Sequence, residues 1–298
     1  MSREAWDHEV PESPDRTADR PTAREPQGRR IALPEDGLAL PRTDQREAVV
    51  HRDRVYHLRG SETRLLVPVG VFRVVPAVDL ADGRSAPDAC REDLRRLANQ
   101  GLIERRTIPI NHQPTPVVVL TREGKALLDG RRRDRHEGRR QQYHAGFVKP
   151  RELGHDAQLY RLYQAEARRL GDEGARITRI VLDYELKRDY QIFRNRRDRP
   201  DDESAEEARR TFAAASRLPV IEGHLELPDL RLEFETEDGR LDVRDVELVT
   251  EHYSRGQLAG KARAGFARYR AAGVGGRRGG SARTGGTPTD PHHLERLL

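Results

Sequence analysis

The sequence predicts an α+β protein built from two small folded parts, and three observations carry that expectation. Between residues 46 and 135 the chain reads helix, helix, two-stranded ribbon, helix. Between Leu225 and Glu251 it reads as a β-hairpin: Glu237-Asp238-Gly239-Arg240 sits between two alternating segments, and Asp-Gly so flanked is a strong hairpin signal. Finally, 35% of the 298 residues are hydrophobic and 35% are charged, too few apolar groups for one dense core over the whole length.

Taken in order, residues 1–45 are rich in Pro, Asp, Glu and Arg without apolar periodicity and read as a disordered segment. In the first folded part, residues 46–135, Val67–Val75 is an apolar run suited to a buried helix. Pro87–Gln100 places Cys90, Leu94 and Leu97 on one helical face at i, i+4 and i+7. Gly101 closes that helix in the way a left-handed C-terminal residue does. Leu102–Arg106 and Val117–Leu120 follow as strands joined through Ile110–Pro114, and Thr121 caps the next helix. This is the element order of a winged helix-turn-helix.

Arg91, Arg95, Arg96, Asn99 and Gln100 stand on the exposed side of the Pro87–Gln100 helix, and such side chains read base edges or hold phosphates. Asp88, Glu92 and Asp93 balance them, so a solvated face of a protein-binding module is the competing reading. Arg105 and Arg106 at the base of the wing and His112 at its tip favour double-stranded DNA. A basic linker, 136–152, follows; the stretch Arg131–Lys149 holds seven Lys or Arg against Asp134 and Glu137, either a solvated hinge or a track for the phosphate backbone.

The second part spans 153–272. Asp156–Leu170 is helical, with Leu159, Leu162, Tyr163, Glu166 and Leu170 on one face. Ile177–Lys187 alternates as a strand, Ala205–Ala215 forms a helix inside a charged excursion, and the hairpin follows. Tyr253–Ala272 then reads as a helix with Leu258, Ala262, Phe266 and Tyr269 as its stripe and no acidic residue. Its cations Arg255, Lys261, Arg263 and Arg268 suit a phosphate-facing role, or a surface helix in an arginine-rich chain. Gly273–Thr289, within the tail 273–298, is a flexible segment, and the His292-His293 pair there has no further ligand at metal spacing.

Side chains alternate faces along a strand, so Asp229 shares a face with Arg231, Glu233 and Glu235, while Leu230, Leu232 and Phe234 share the other. On the partner strand Val243, Asp245, Glu247 and Val249 share one face. A hairpin therefore brings Asp229 and Glu247 to one surface, as a divalent metal needs for phosphodiester chemistry. Glu166 or Asp245 would complete the ligand set around Mg²⁺. The structural alternative is that these acids are ordinary exposed strand residues.

The order α-β-(insert)-β-β-α, with Pro228-Asp229 and Glu247 on the hairpin, resembles the restriction-endonuclease-like PD-(D/E)xK fold with its mixed sheet. The stretch 46–272 as a whole resembles the bacterial replication-relaxation family of plasmids and other mobile elements, in which a winged helix precedes such a domain. Leu94–Ile103, Thr121–Leu128, Gly154-His155-Asp156, Pro228-Asp229, Glu247–Thr250 and the helix with Lys261 and Tyr269 carry the resemblance. It implies DNA binding in replication, transfer or transcriptional control of a mobile element, with Asp229 and Glu247 as metal ligands. The nuclease motif expects lysine two residues after the second acid, where this chain has Val249. Lys261 from the following helix, or Lys187, would have to replace it; otherwise the domain is a DNA-clamping or dimerising scaffold. A homodimer on paired half-sites is compatible with a winged helix.

The net charge of +5 and pI near 9.5 suit a polyanionic partner. Lysine occurs only at 125, 149, 187 and 261, an arginine bias that reflects coding composition, so only the placement of arginine is informative. Cys90 is the single cysteine, which excludes an internal disulfide and a cysteine zinc site. With no apolar N-terminal segment and no run of about 18 apolar residues, the expected location is the cytoplasm.

Overall fold

A computed structural model describes residues 37–81, 87–110, 113–133, 140–149, 152–196, 204–250, 253–270 and 296–297. The expected 1–45 segment is ordered from residue 37 onward, because Leu38 and Leu40 are buried in the core and Leu38 bridges to Arg132. Residues 1–36, His112, most of the 273–298 tail and the His292-His293 pair lie outside the described residues.

The chain is a mixed α+β structure with several small sheets. A hairpin of β1 (Glu47–His51) and β2 (Arg54–Leu58) opens it. Arg46 ties this hairpin to α1 (Gly60–Val71) through a bidentate pair with the fully buried Glu62, at 2.8 and 2.9 Å. β3 (Val75–Pro76), α2 (Ala77–Ala81), α3 (Pro87–Asn99), β4 (Ile103–Ile110), β5 (Gln113–Leu120) and α4 (Arg122–Gly130) follow. The three strands pair in the order β3-β5-β4. The expected α3 face is found: Cys90, Leu94 and Leu97 are buried. Gly101 ends α3 at φ +75°, and Thr121 caps α4 by accepting from the Gly124 N–H at 3.0 Å. The ribbon strands run longer than the sequence suggested because β4 and β5 stay in register from Ile103–Leu120 out to Ile110–Gln113.

In the second part α5 (Leu153–Asp172) lies against a mixed sheet of β6 (Arg176–Leu182), β9 (Leu230–Glu235), β10 (Leu241–Val249) and β11 (Ala267–Arg270), with β12 (Arg296–Leu297) beside β11. Between β6 and β9 come α6 (Asp183–Arg194), α7 (Ala205–Ser216) and a small pair, β7 (Val220–Ile221) with β8 (His224–Leu225). α8 (Arg255–Arg263) carries the chain from β10 to β11, which run parallel and so need a crossover.

Three expectations are corrected. The helix read over Val67–Val75 is the last part of α1, which stops at Val71, and Val75 enters β3. The strand read over Ile177–Lys187 stops at Leu182, and Asp183 begins a helix. Glu185 decides this: buried beside Arg179, its carboxylate also accepts from the Leu182 N–H and closes the first turn of α6. The helix read over Tyr253–Ala272 stops at Arg263. Gly265 takes φ +78°, and Ala267–Arg270 becomes a strand because it finds a parallel partner in Val246–Val249.

One buried cluster runs through both parts, from Leu65 and Leu97 to Leu162, Leu230 and Leu248. Phe72 at the end of α1 packs on Tyr160 and Tyr163 of α5, with ring centroids 5.3 and 5.2 Å apart. Arg73, buried and in a left-handed conformation, reaches Asp156 and Glu152 at the start of α5 with Nη2 contacts of 2.5 and 2.7 Å. From the connector, Gln141 pairs with both backbone groups of Ile180 on β6, at 2.8 and 2.9 Å. Among the described residues no helix is long and apolar enough to cross a membrane.

Candidate functional site

The hairpin register sets the site. Asp245 pairs with Arg231 and Val246 with Leu230, so the next step places Glu247 opposite Asp229, immediately before β9. Asp229 Oδ2 accepts from the Leu248 N–H at 2.8 Å, which fixes the carboxylate across the two strands. The expected convergence of Asp229 and Glu247 is therefore found.

α8 supplies the cation. Ser254 and Gln257 form a reciprocal cap at its start, with bonds of 2.8 and 3.2 Å. The helix so anchored aims Lys261 back at the hairpin. Its amine lies 3.2 Å from Glu247 Oε1 and 3.3 Å from Glu226, and donates to the Leu227 carbonyl at 2.7 Å. Tyr253 donates its hydroxyl proton to the same Glu247 Oε1 at 2.5 Å. Glu247 Oε2 is buried and has no hydrogen-bond partner among the described residues. Burial, then the neighbouring charge of Asp229, pushes the Glu247 carboxyl up to about 7 in spite of Lys261.

α5 supplies a second cation. His155 Nε2 lies 3.2 Å from Asp229 Oδ1, and Nδ1 lies 3.4 Å from Asp156 Oδ1. Burial opposes the imidazolium, but the two carboxylates outweigh it and hold the His155 pKa at about 10. Asp156 serves as a first-turn acid of α5 and is shared between His155 and Arg73.

Other residues singled out in the sequence sit elsewhere. Glu166 is not a neighbour of Asp229: it packs on the opposite sheet face, where Tyr269 donates to it at 2.5 Å and Arg244 approaches to 3.4 Å. It shares a helical stripe with core leucines because these two partners satisfy it. Asp245 is held bidentately by Arg231, at 2.7 Å for each bond. Lys187 lies on α6, exposed and paired with Asp183 at 2.5 Å, so Lys261 is the lysine at the acids. Arg268 stands beside Glu247 in the parallel register and shares its face.

Along α3, Arg91, Arg95, Arg96 and Asn99 are exposed as expected. Arg91 pairs with Asp88, while Arg95 and Arg96 both hold Glu92, at 2.8 and 2.7 Å. Gln100 is taken up by the β1-β2 hairpin, bonding both backbone groups of His57. Arg105 is exposed, and Arg106 pairs with Glu104 at 2.5 Å while covering the Phe147 ring at 4.3 Å. On α8, Arg255 is exposed and Arg263 reaches Glu222 at 2.9 Å. The roles of Tyr253 and Glu226 were not visible in the sequence, since nothing in their local pattern ties them to Glu247 or Lys261.

No group of three His, Cys, Asp or Glu side chains converges at metal-holding distance among the described residues. Mg²⁺ does not require one: it keeps several waters and is commonly held by one or two carboxylates plus substrate phosphates. The unpartnered Oε2 of Glu247, on the strand position opposite Asp229, fits that donor set. No protein-family model matches this sequence, and no curated protein or solved structure matches the chain.

Proposed function

We propose that this chain is a cytoplasmic double-stranded-DNA-binding protein of the replication-relaxation type, serving replication, transfer or transcriptional control of a plasmid or other mobile element, and that Asp229, Glu247 and Lys261 form a Mg²⁺-dependent phosphodiester-cleaving centre. The observation that carries the cleavage reading is the 3.2 Å approach of Lys261 to a glutamate lying opposite Asp229. The helix thus supplies the cation that Val249 cannot. The order α5-β6-(insert)-β9-β10-α8 supports a restriction-endonuclease-like domain, and the order α1-β3-α2-α3-β4-β5 supports a winged helix with α3 as the groove-reading element.

In this reading Asp229 and Glu247 hold Mg²⁺ through carboxylate oxygens. The metal, when bound, supplies a polarised phosphoryl oxygen and an acidified water. Lys261 stabilises charge developing on the phosphate, and Tyr253 fixes the Glu247 rotamer by bonding its other oxygen. His155 orients Asp229 through its 3.2 Å contact. Arg255, Arg263 and Arg268 hold the backbone of the duplex beside the centre.

One observation favours a second reading, a regulator that clamps DNA without cutting it: both oxygens of Asp229 are already engaged, by the Leu248 N–H and by His155. Incubation of the protein with supercoiled plasmid separates the two. Nicked or linear product with Mg²⁺ or Mn²⁺, abolished by Asp229→Ala and by Glu247→Ala, supports the nuclease. A metal-independent gel shift that collapses with added salt, without cleavage, supports the regulator. Absence of any shift at low salt leaves a protein-binding adaptor and rejects both.

A further inference from the structure

Independently of that reading, we infer that the arginine-lined cavity on the Arg231 face of the sheet is a binding site for a nucleotide-sized phosphate ester, either a free nucleotide or the 5′-phosphorylated end of a strand. The cavity measures about 500 Å³, within the range of small-ligand pockets. Asp229, Glu247 and Lys261 are not among its lining residues, so it is separate from the metal-type centre.

Its lining is rich in arginine. Arg132, Arg133 and Arg140 come from the segment after α4, Arg176 and Arg179 from β6, and Arg217 and Arg231 complete the set; among the described lining residues the acids are Glu233, Glu235 and Asp242. Four of the cations are structural: Arg231 is clamped by Asp245, Arg179 by Glu185 and Glu233, Arg132 by Asp129 and Arg176 by Glu235. Arg133 and Arg217 are exposed at the rim and have no carboxylate partner there among the described residues.

A guanidinium without a carboxylate partner keeps its donors for an anion, and phosphate oxygens match that planar fork in pairs. The remaining wall suits a base. Leu241, 68% exposed, gives the lining an apolar surface, and the planar guanidinium groups of Arg133 and Arg217 are of the kind that stack on aromatic rings. An aromatic heterocycle with one or two phosphates satisfies both halves of the lining.

Isothermal titration of the full chain with adenosine 5′-diphosphate, adenosine, pyrophosphate and a short oligonucleotide with or without a 5′-phosphate tests this. Saturable binding of the diphosphate or the 5′-phosphorylated strand is expected, at least tenfold tighter than adenosine or the unphosphorylated strand; the tighter of the two names the source. Arg133→Gln with Arg217→Asn should weaken binding at least tenfold with the melting curve unchanged, since both side chains are exposed and asparagine tolerates the left-handed backbone at 217. Asp229→Ala should bind as the parent does, which separates this site from the cleavage centre. No saturable binding at millimolar ligand, equal affinity in the double variant, or pyrophosphate binding as tightly as the diphosphate would overturn the inference.

Discussion

His155 Nε2 stands 3.2 Å from Asp229 Oδ1, so the acid that opens β9 is neutralised by a cation delivered from the first turn of α5. The histidine is held at about 10 against an ordinary 6.5. A raised folded-state pKa adds stability that is complete below about 6.5 and is lost as pH climbs through about 10. The melting temperature of the parent protein should therefore fall more steeply across that window than that of His155→Gln. Thermal melts of the two at half-unit pH steps check it; parallel curves would reject the ion pair.

Glu247 gives a dependence on the other side of neutrality. Its carboxyl must ionise to take a cation, and burial beside Asp229 holds it near about 7. Mn²⁺ affinity should fall about tenfold for each pH unit below that value and level off above it. Glu247→Gln should flatten the profile, and metal titrations from about two units below that value to about one unit above it show whether it does.

Lys261→Met removes the amine at Glu247 while keeping most of the side-chain volume. Loss of one charge-stabilising group costs roughly 10²–10³ in rate, so plasmid nicking should drop by that factor. DNA affinity measured without metal should change less than about twofold to threefold, because the amine is already engaged by Glu247, Glu226 and the Leu227 carbonyl. A variant that cuts as fast as the parent would return the lysine to a purely structural role.

On α3, Glu92 holds both Arg95 and Arg96. Glu92→Gln should release two cations toward phosphate, tightening DNA binding and steepening its salt dependence by up to about two contacts. Arg95→Ala with Arg96→Ala should do the reverse. Affinities at several salt concentrations read both changes directly.

Arg73→Met should destabilise the fold by about 3–5 kcal/mol, because it strands the buried Asp156 carboxylate. Urea unfolding gives the number. A loss below about 1 kcal/mol, the scale of an exposed pair, would mean that Asp156 is served by His155 alone.

The hairpin was legible in the sequence because its period of two and its Asp-Gly turn are local signals, and the same is true of the α3 stripe and the Thr121 cap. What escaped depends on distant partners. Residues 183–187 alternate as a strand does, yet Glu185 finds Arg179 and a free N–H and nucleates a helix. Ala267–Arg270 continues a helical pattern, yet β10 offers it a parallel edge. In the site, the two acids follow from pairing alone, whereas the approach of Lys261 needs the length and direction of a crossover helix. Glu166 misled as a ligand because its partners, Arg244 and Tyr269, lie 78 and 103 residues away in sequence.

The grip of Gln141 on Ile180 has a consequence for self-association. β6 is the outer strand of its sheet, and a bare outer strand is an invitation to a second molecule. A side-chain amide from the same chain occupies the Ile180 rung there, so a second strand arriving at this margin finds that backbone pair already taken.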